Sequence, residues 1–298
     1  MARESEHLTY AQLRLAALGL YEQGHYRESL ALVDQHMDHF PEQLLNLTYW
    51  RICLLSRLDE QAAALATLRD ALSRGFWWSE SMMREDTDLA DLLPLPEYQK
   101  LLLVCRERQA ETQKTAKPRR FILVPEQLTT SAPQPLLLCL HGRASSTTTF
   151  VEHWQHATRS GWLVAMLGSS QVIGYETYCW DDTRLAQEEI REHYREICAQ
   201  MPVDASRVAL AGFSQGGGLA ARTAADSTIP AAGFLSVAPA LLDLEHFEQS
   251  LTGRKNLRGM VLAGELDVRW AAAGQRICQV MQSAGLSCQT HLYPNLGH

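Results

Sequence analysis

No apolar run in this chain approaches the roughly 20 residues that a membrane-spanning helix needs, so no segment is expected to cross a bilayer. The first residues, Met-Ala-Arg-Glu-Ser-Glu-His, are charged and lack the apolar centre of a secretory leader. Basic charge is also scarce. With 27 Lys and Arg against 34 Asp and Glu, the formal net charge is −7, and no global field favours nucleic acid or an anionic membrane. There is no Cys-x-x-Cys pair, which argues against a structural zinc site. The seven cysteines (Cys53, Cys105, Cys139, Cys179, Cys198, Cys278 and Cys288) are scattered, odd in number and mostly set among apolar residues. They are expected to be reduced thiols in a cytoplasmic protein rather than a disulfide framework. What the chain has is material for a core. Its 298 residues, 46% hydrophobic and 20% charged, suit one large soluble domain or two modest ones.

From Leu8 to about Gln109 the chain is rich in Leu and Ala, with helical periodicity and almost no strand-like alternation. Two related segments stand out, Leu13 to Pro41 and Thr48 to Phe76. Laying Leu30 on Leu65 and Val33 on Leu68 gives a period of about 35 residues, close to that of helix-turn-helix repeats. Small residues at Ser29 and Ala64 would let paired helices approach closely. The segments resemble tetratricopeptide-like repeats, which implies either a concave face for a protein partner or a helical array that packs on its neighbour. No cluster of Lys, Arg or Asn marks a peptide-clamping face, which favours the second reading. A third stretch, Ser79 to Val104, starts irregularly and ends in a helix. The polar run up to Arg120, with Pro118 in it, reads as a linker. The division expected is a helical domain over residues 1–112, a linker over 113–120 and a second domain over 121–298.

Beyond Pro118 short apolar runs alternate with helix-like segments. Phe121–Val124, Leu136–Leu140, Leu163–Leu167, Val208–Gly212, Gly233–Val237, Gly259–Ala263 and Thr290–Tyr293 read as strands. Helices fit near Thr149–Ser160, Arg184–Met201, Gly217–Ser227 and Ala271–Ala284. Continuous apolar strands separated by helices imply a mainly parallel sheet covered on both faces, the α/β class. In such sheets chemistry gathers at the carboxyl ends of the strands.

Four of those ends carry unusual residues. One strand runs into His141-Gly142-Arg143-Ala144-Ser145-Ser146, and another into Gly212-Phe213-Ser214-Gln215-Gly216. A third runs into Gly264-Glu265-Leu266-Asp267, and the last into Pro294-Asn295-Leu296-Gly297-His298. The Gly-x-Ser-x-Gly pattern between a strand and a helix is that of a sharp elbow. Its central residue takes strained backbone geometry, and side chains two positions either side would collide. Ser…Asp…His is the order of a nucleophilic triad on such an elbow. A serine hydroxyl is a weak nucleophile near neutral pH and needs a base, for which His298 is the candidate. Asp267 would fix the imidazole tautomer and stabilise its charged form. The tetrahedral oxyanion needs two placed donors, expected to be the backbone N–H groups of Gln215 and Arg143.

The run Val203-Asp204-Ala205-Ser206-Arg207-Val208-Ala209-Leu210-Ala211-Gly212-Phe213-Ser214-Gln215-Gly216-Gly217 resembles the elbow of the carboxylesterase/acyl-protein thioesterase (phospholipase/carboxylesterase) branch of the α/β-hydrolase superfamily. Leu137-Leu138-Cys139-Leu140-His141-Gly142, Trp180-Asp181-Asp182 and Gly264-Glu265-Leu266-Asp267 match it as well. The resemblance covers about residues 119 to 298. It implies an α/β-hydrolase sheet and metal-independent, cofactor-free hydrolysis of small-molecule carboxylic esters or thioesters through an acyl-serine. The chain departs from the family in two places. The loop after Gly142 is Arg143-Ala144-Ser145-Ser146-Thr147-Thr148-Thr149 rather than apolar, Gly, Asp. The family also carries a helix after the histidine, whereas this sequence stops at His298. If the native chain ends there, an α-carboxylate beside the imidazole would favour its protonated form.

Alternatives remain at several positions. Glu265, Asp243 and Glu245 compete with Asp267 for the acid. His141 reads as a turn or supporting residue, His291 as structural and His193 as solvated. His153 and His156 lack a third ligand for a metal. The aromatic loop from Ser169 to Asp182, with Ile173, Tyr175, Tyr178 and Trp180, is expected to wall the substrate site, together with Leu241, Leu242 and Trp270. Two rival functions are a serine peptidase on the same fold and a repeat-based interaction protein with a degenerate hydrolase domain.

Overall fold

The computed structural model describes residues 8–125, 132–240 and 243–298. Two compact units divide these. The first comprises Met1–Lys114 with Ile173–Tyr175, and the second Thr115–Val172 with Glu176–His298.

The first unit is all-α except for one short pairing. Helices α1 (Tyr10–Glu22) and α2 (Tyr26–His36) form one hairpin, and α3 (Leu44–Arg57) and α4 (Gln61–Ser73) another. Thr9 opens α1 with a reciprocal cap, its hydroxyl accepting from Gln12 N–H while the Gln12 side chain accepts from Thr9 N–H. The core takes in both aligned pairs, Leu30 with Leu65 and Val33 with Leu68, together with Leu13, Ala17 and Ile52. Both small residues at the equivalent hairpin positions, Ser29 and Ala64, are also buried. The Ser29 hydroxyl spares itself a desolvation cost by donating to the Ala17 carbonyl at 2.9 Å. Then follow α5 (Glu80–Glu85), a 3₁₀ turn (Thr87–Leu92) and α6 (Pro96–Gln113). Pro96 fits the first position of α6 because its missing N–H has no partner to lose there. The pairing is between Trp78 and Gly174, with Ser79 N–H donating to Ile173 and Tyr175 N–H to Trp77.

The second unit is mixed α/β around a seven-stranded sheet. Its strands are β1 (Arg119–Leu123), β2 (Gln134–Leu140), β3 (Leu163–Gly168), β6 (Val203–Phe213), β7 (Gly233–Val237), β8 (Arg258–Gly264) and β9 (Ser287–Tyr293). Strands β4 (Gln171–Gly174) and β5 (Thr177–Cys179) make a separate small hairpin. The order is β1-β3-β2-β6-β7-β8-β9, with β1 antiparallel and the rest parallel. This is the mainly parallel arrangement of an α/β-hydrolase. Leu136, Leu138 and Leu140 of β2 face one way, into a core shared with α8 (Thr183–Gln200), α9 (Gln215–Ala225) and α11 (Val268–Ser283). Leu137 and Cys139 face the other, against Phe150 and Trp154 of α7 (Thr147–Trp154). A strand buried on both faces reads as a continuous apolar run, which is why β2 was legible. The chain leaves β2 for β3 on one side and returns to β6 on the other. The ends of β2 and β6 therefore flank the crevice where such sheets bind ligands.

Several expectations need correction. The run read as linker is helix through Gln113 and strand from Arg119. Lys114 to Pro118 lie between the two, outside both elements. The helix expected over Thr149–Ser160 is α-helical only to Trp154 and 3₁₀ over Gln155–Ser160. The hairpin β4–β5 and helix α10 (Leu244–Ser250) were not anticipated. His193 is buried rather than solvated, because it lies on the buried face of α8 with Ala186, Ile190 and Ile197, and Arg120 of β1, which pairs with Glu196, lies 3.3 Å from its Nδ1. Cys278 and Cys288 are joined in a disulfide, and Cys53, Cys105, Cys139, Cys179 and Cys198 are free. The packing of α11 on β9 brings the two Cα atoms to 5.0 Å, a juxtaposition that residue spacing does not reveal. The pair removes part of the basis for expecting reduced thiols in the cytoplasm. Among the described residues, no helix is long and apolar enough to cross a membrane.

Candidate active site

Ser214 stands at the junction of β6 and α9 with φ +52° and ψ −119°. A non-glycine residue adopts this left-handed geometry only where the surroundings enforce it. Here Ser214 N–H donates to the Val237 carbonyl, and its own carbonyl accepts from Gly218 and Ala240. The flanking glycines make the turn possible. A Cβ on Gly212 would lie 2.3 Å from the Gly216 carbonyl oxygen, and one on Gly216 would lie 2.4 Å from the carbonyl oxygens of Leu140 and His141. Backbone cannot swing aside as a side chain can. Gly212→Ala is therefore expected to cost about 3 kcal/mol or more, and to lower Tm by about 6–12 °C. Thermal unfolding followed by circular dichroism checks this, and an unchanged Tm would mean that the elbow is not as tight as drawn.

The three strand-end residues singled out by order in the chain meet here. His298 Nε2 lies 3.0 Å from Ser214 Oγ, and His298 Nδ1 lies 2.7 Å from Asp267 Oδ2. Asp267 is 8% exposed, while Glu265 is exposed and Asp243 is spent on capping α10 through His246 N–H. The ring of His298 rests between Phe213 and Trp270, with centroid separations of 4.8 and 6.2 Å. Arg269 lies over the other partner of that stack, its guanidinium 4.4 Å from the Trp270 ring.

Gln215 and Arg143 are the residues expected to supply the oxyanion donors. Gln215 is the first residue of α9, so its N–H has no partner within the helix. Arg143 follows β2 directly after His141 and Gly142, and Gly142 packs closely on the Phe213 ring. His141 is fully buried, and burial pushes its imidazole down to about 4, so it is neutral. Its Nδ1 lies 2.7 Å from the Gly142 carbonyl, which can only accept, so Nδ1 carries the proton. Nε2 then accepts from Ser169 N–H at 3.4 Å. His141 thus supports the loop.

Asp181, named only as part of a motif in the sequence, proves central to this corner. Its carboxylate accepts from Arg143 Nε and Nη2, each at 3.2 Å, and from Gln215 Nε2 at 2.7 Å. Partial burial works to raise the Asp181 carboxyl, but these hydrogen bonds and the Arg143 charge overcome it and hold it below the usual carboxylate range. Trp180 is buried, with its indole against His141 and its Nε1–H donating to the His141 carbonyl at 2.9 Å. It supports the loop from beneath. Tyr175 falls in the first unit, its ring 5.6 Å from that of Phe76. Leu241 and Leu242 lie outside the described residues. The group of side chains with metal-ligand spacing among the described residues, Cys53, Asp86 and Asp88, lies in the first unit. Its carboxylates already accept from Tyr49 and Tyr21.

Residues 181–298 match the phospholipase/carboxylesterase family. That segment contains Asp181, Ser214, Asp267 and His298 and leaves the Arg143 loop outside it. Residues 9–113 match the A/B hydrolase-like N-terminal domain. Residues 181–298 are thus carboxylesterase-like, which supports a hydrolase. No curated protein matches the chain. Among solved structures, an uncharacterized protein from Bacillus cereus is 23% identical, with 98% of this chain and 93% of that one covered and a TM-score of 0.54. A ferulic acid esterase is 16% identical over 64% of this chain and 88% of its own, with a TM-score of 0.51. Esterase PE8 is 17% identical over 61% and 91%, with a TM-score of 0.50. These structural likenesses carry the fold.

Proposed function

We propose that the chain is a serine hydrolase that cleaves carboxylic esters or thioesters of small molecules through an acyl-serine intermediate. The observation that carries this reading is the unbroken relay from Ser214 Oγ to His298 to Asp267, at 3.0 and 2.7 Å. In the acylation step, Ser214 Oγ attacks the substrate carbonyl while His298 Nε2 takes its proton. Asp267 keeps the proton on Nδ1, so that Nε2 presents a lone pair, and stabilises the imidazolium that forms. The oxyanion is held by the N–H groups of Gln215 and Arg143. The imidazolium then protonates the departing alcohol or thiol. Water, deprotonated by the same nitrogen, attacks the acyl-serine and releases the acid, and Ser214 regains its proton. Trp270 is the candidate wall on the histidine side.

The hydroxyl-rich loop after Arg143 favours short or polar acyl groups over long fatty chains. The tetratricopeptide-like reading of the helical unit belongs to the same proposal, and rests on the shared burial of Leu30 with Leu65 and Val33 with Leu68. A fluorophosphonate probe tests the enzymatic reading directly. One covalent adduct is expected, on Ser214, located by mass spectrometry; absence of an adduct there would leave the interaction-protein reading in its place. A panel of p-nitrophenyl esters and matched thioesters of increasing chain length then defines the acyl preference.

A further inference from the structure

The two donors assigned to the oxyanion come from separate loops, and what fixes their spacing is a question the triad does not answer. Arg143 precedes Ala144, which has φ +57°, so its loop holds a strained turn that something must enforce. Gln215 can turn its side-chain amide unless both ends are held. The short segment Tyr178–Asp181 reaches both. Tyr178 N–H donates to the Ser145 carbonyl at 2.9 Å, gripping the loop just past the strained residue. Trp180 N–H donates to Gln215 Oε1 at 2.9 Å, and Gln215 Nε2 donates back to Asp181 Oδ1 at 2.7 Å, so the amide is pinned at both ends. The Arg143 guanidinium closes the ring with its paired bonds to both oxygens of Asp181.

We propose that Asp181 is a positioning residue of the oxyanion hole, its carboxylate bridging the side chains of Arg143 and Gln215 so that their backbone N–H groups converge on one point. This rests on the serine-hydrolase reading above. The Asp181 side chain lies between the two donor residues, and it is not a proton-transfer group, since His298 and Asp267 complete that relay without it. An ion pair that is 35% and 48% exposed at its two side chains adds little to global stability. Its consequence is geometric, because an oxyanion donor acts only when aimed where negative charge develops. The planar, two-pronged guanidinium suits this task, since two parallel bonds fix direction as well as distance.

Asp181→Asn keeps the size but turns one oxygen into a donor that faces either Arg143 or Gln215. Losing an oxyanion donor outright costs about a hundred- to thousand-fold in rate, so loosening one is expected to lower kcat on p-nitrophenyl acetate about tenfold. KM should stay within about twofold, Tm within about 3 °C, and the pH profile of kcat/KM should not move, because the base and its acid are untouched. Arg143→Leu, which removes the other end of the clamp while keeping the backbone donor, is expected to lower kcat about three- to tenfold. The two losses combined should fall short of their product by about threefold or more.

Unchanged kcat in Asp181→Asn, independent losses in the double variant, or a rise in KM alone would each overturn the proposal. A shifted pH profile would assign Asp181 to the field of the histidine instead. Should Asp181→Asn fail to fold, Arg143→Leu carries the same decision. Wild-type protein with neither turnover nor a fluorophosphonate adduct overturns both readings, whereas active wild type with an indifferent Asp181→Asn overturns only this one.

Discussion

Ser214→Ala is expected to remove at least about 10⁴-fold of the turnover of p-nitrophenyl acetate and all fluorophosphonate labelling, while leaving the fold in place. The reason is chemical: Ser214 Oγ is the hydroxyl that lies 3.0 Å from His298 Nε2. Alanine tolerates φ +52° no better than serine, so the strain of the elbow is carried unchanged and Tm should move by less than about 3 °C. The more searching version pairs this change with His298→Ala. Residues that act as one unit lose their effect together. The double variant should therefore be scarcely slower than either single one, whereas independent contributions would multiply. Turnover in Ser214→Ala within tenfold of wild type would remove Ser214 as nucleophile and leave the elbow a structural turn.

What could be read from the sequence at this corner is what depends on local sterics and strand order. The elbow was legible because Gly212 and Gly216 meet backbone atoms that no side chain could approach. Asp267 and His298 follow strand ends on the same edge of the parallel sheet as Ser214, which is what the sequence shows; that they lie 2.7 and 3.0 Å apart along Asp267, His298 and Ser214 depends on the loops after β8 and β9. The strands β2 and β3 were legible because burial on both faces leaves only apolar residues to choose from. The misses share a cause, which is that they depend on how separate loops and faces meet. The bridge from Asp181 to Arg143 and Gln215 joins three segments that have no common spacing. His193 is a different case: its helix is charged, yet it shares the buried face of α8 with Ala186, Glu189, Ile190 and Ile197, at a spacing of three and four residues that the sequence already carries. The pairing of Cys278 with Cys288 follows from the packing of α11 on β9. Tyr175 and Trp180 share one aromatic loop, yet one ring packs on Phe76 and the other lies buried beneath His141.

Asp267→Asn tests the proposed orienting acid against its neighbours and should be nearly as severe as Ser214→Ala. In the wild type the Asp267 carboxylate can only accept, so His298 Nδ1 carries the proton and Nε2 faces Ser214 with a lone pair. An asparagine at this position can present its NH₂ group to Nδ1. The imidazole then keeps its proton on Nε2, and two donors face each other where a base is needed. The resulting loss in kcat is expected to be on the order of 10⁴-fold near neutral pH, with KM little changed. Because Asp267 is buried and its partner is retained, the fold should survive with a Tm drop of a few degrees. Glu265→Gln is the matched control. Glu265 is exposed, and its backbone N–H, which the change leaves intact, donates to the Tyr293 carbonyl. Its activity is expected to stay within about twofold of wild type. If Glu265→Gln were the crippled variant and Asp267→Asn the active one, the acid would be reassigned and the relay drawn here from Ser214 would end at the wrong carboxylate. Kinetics of both variants on one ester, read beside their melting curves, decide between the two.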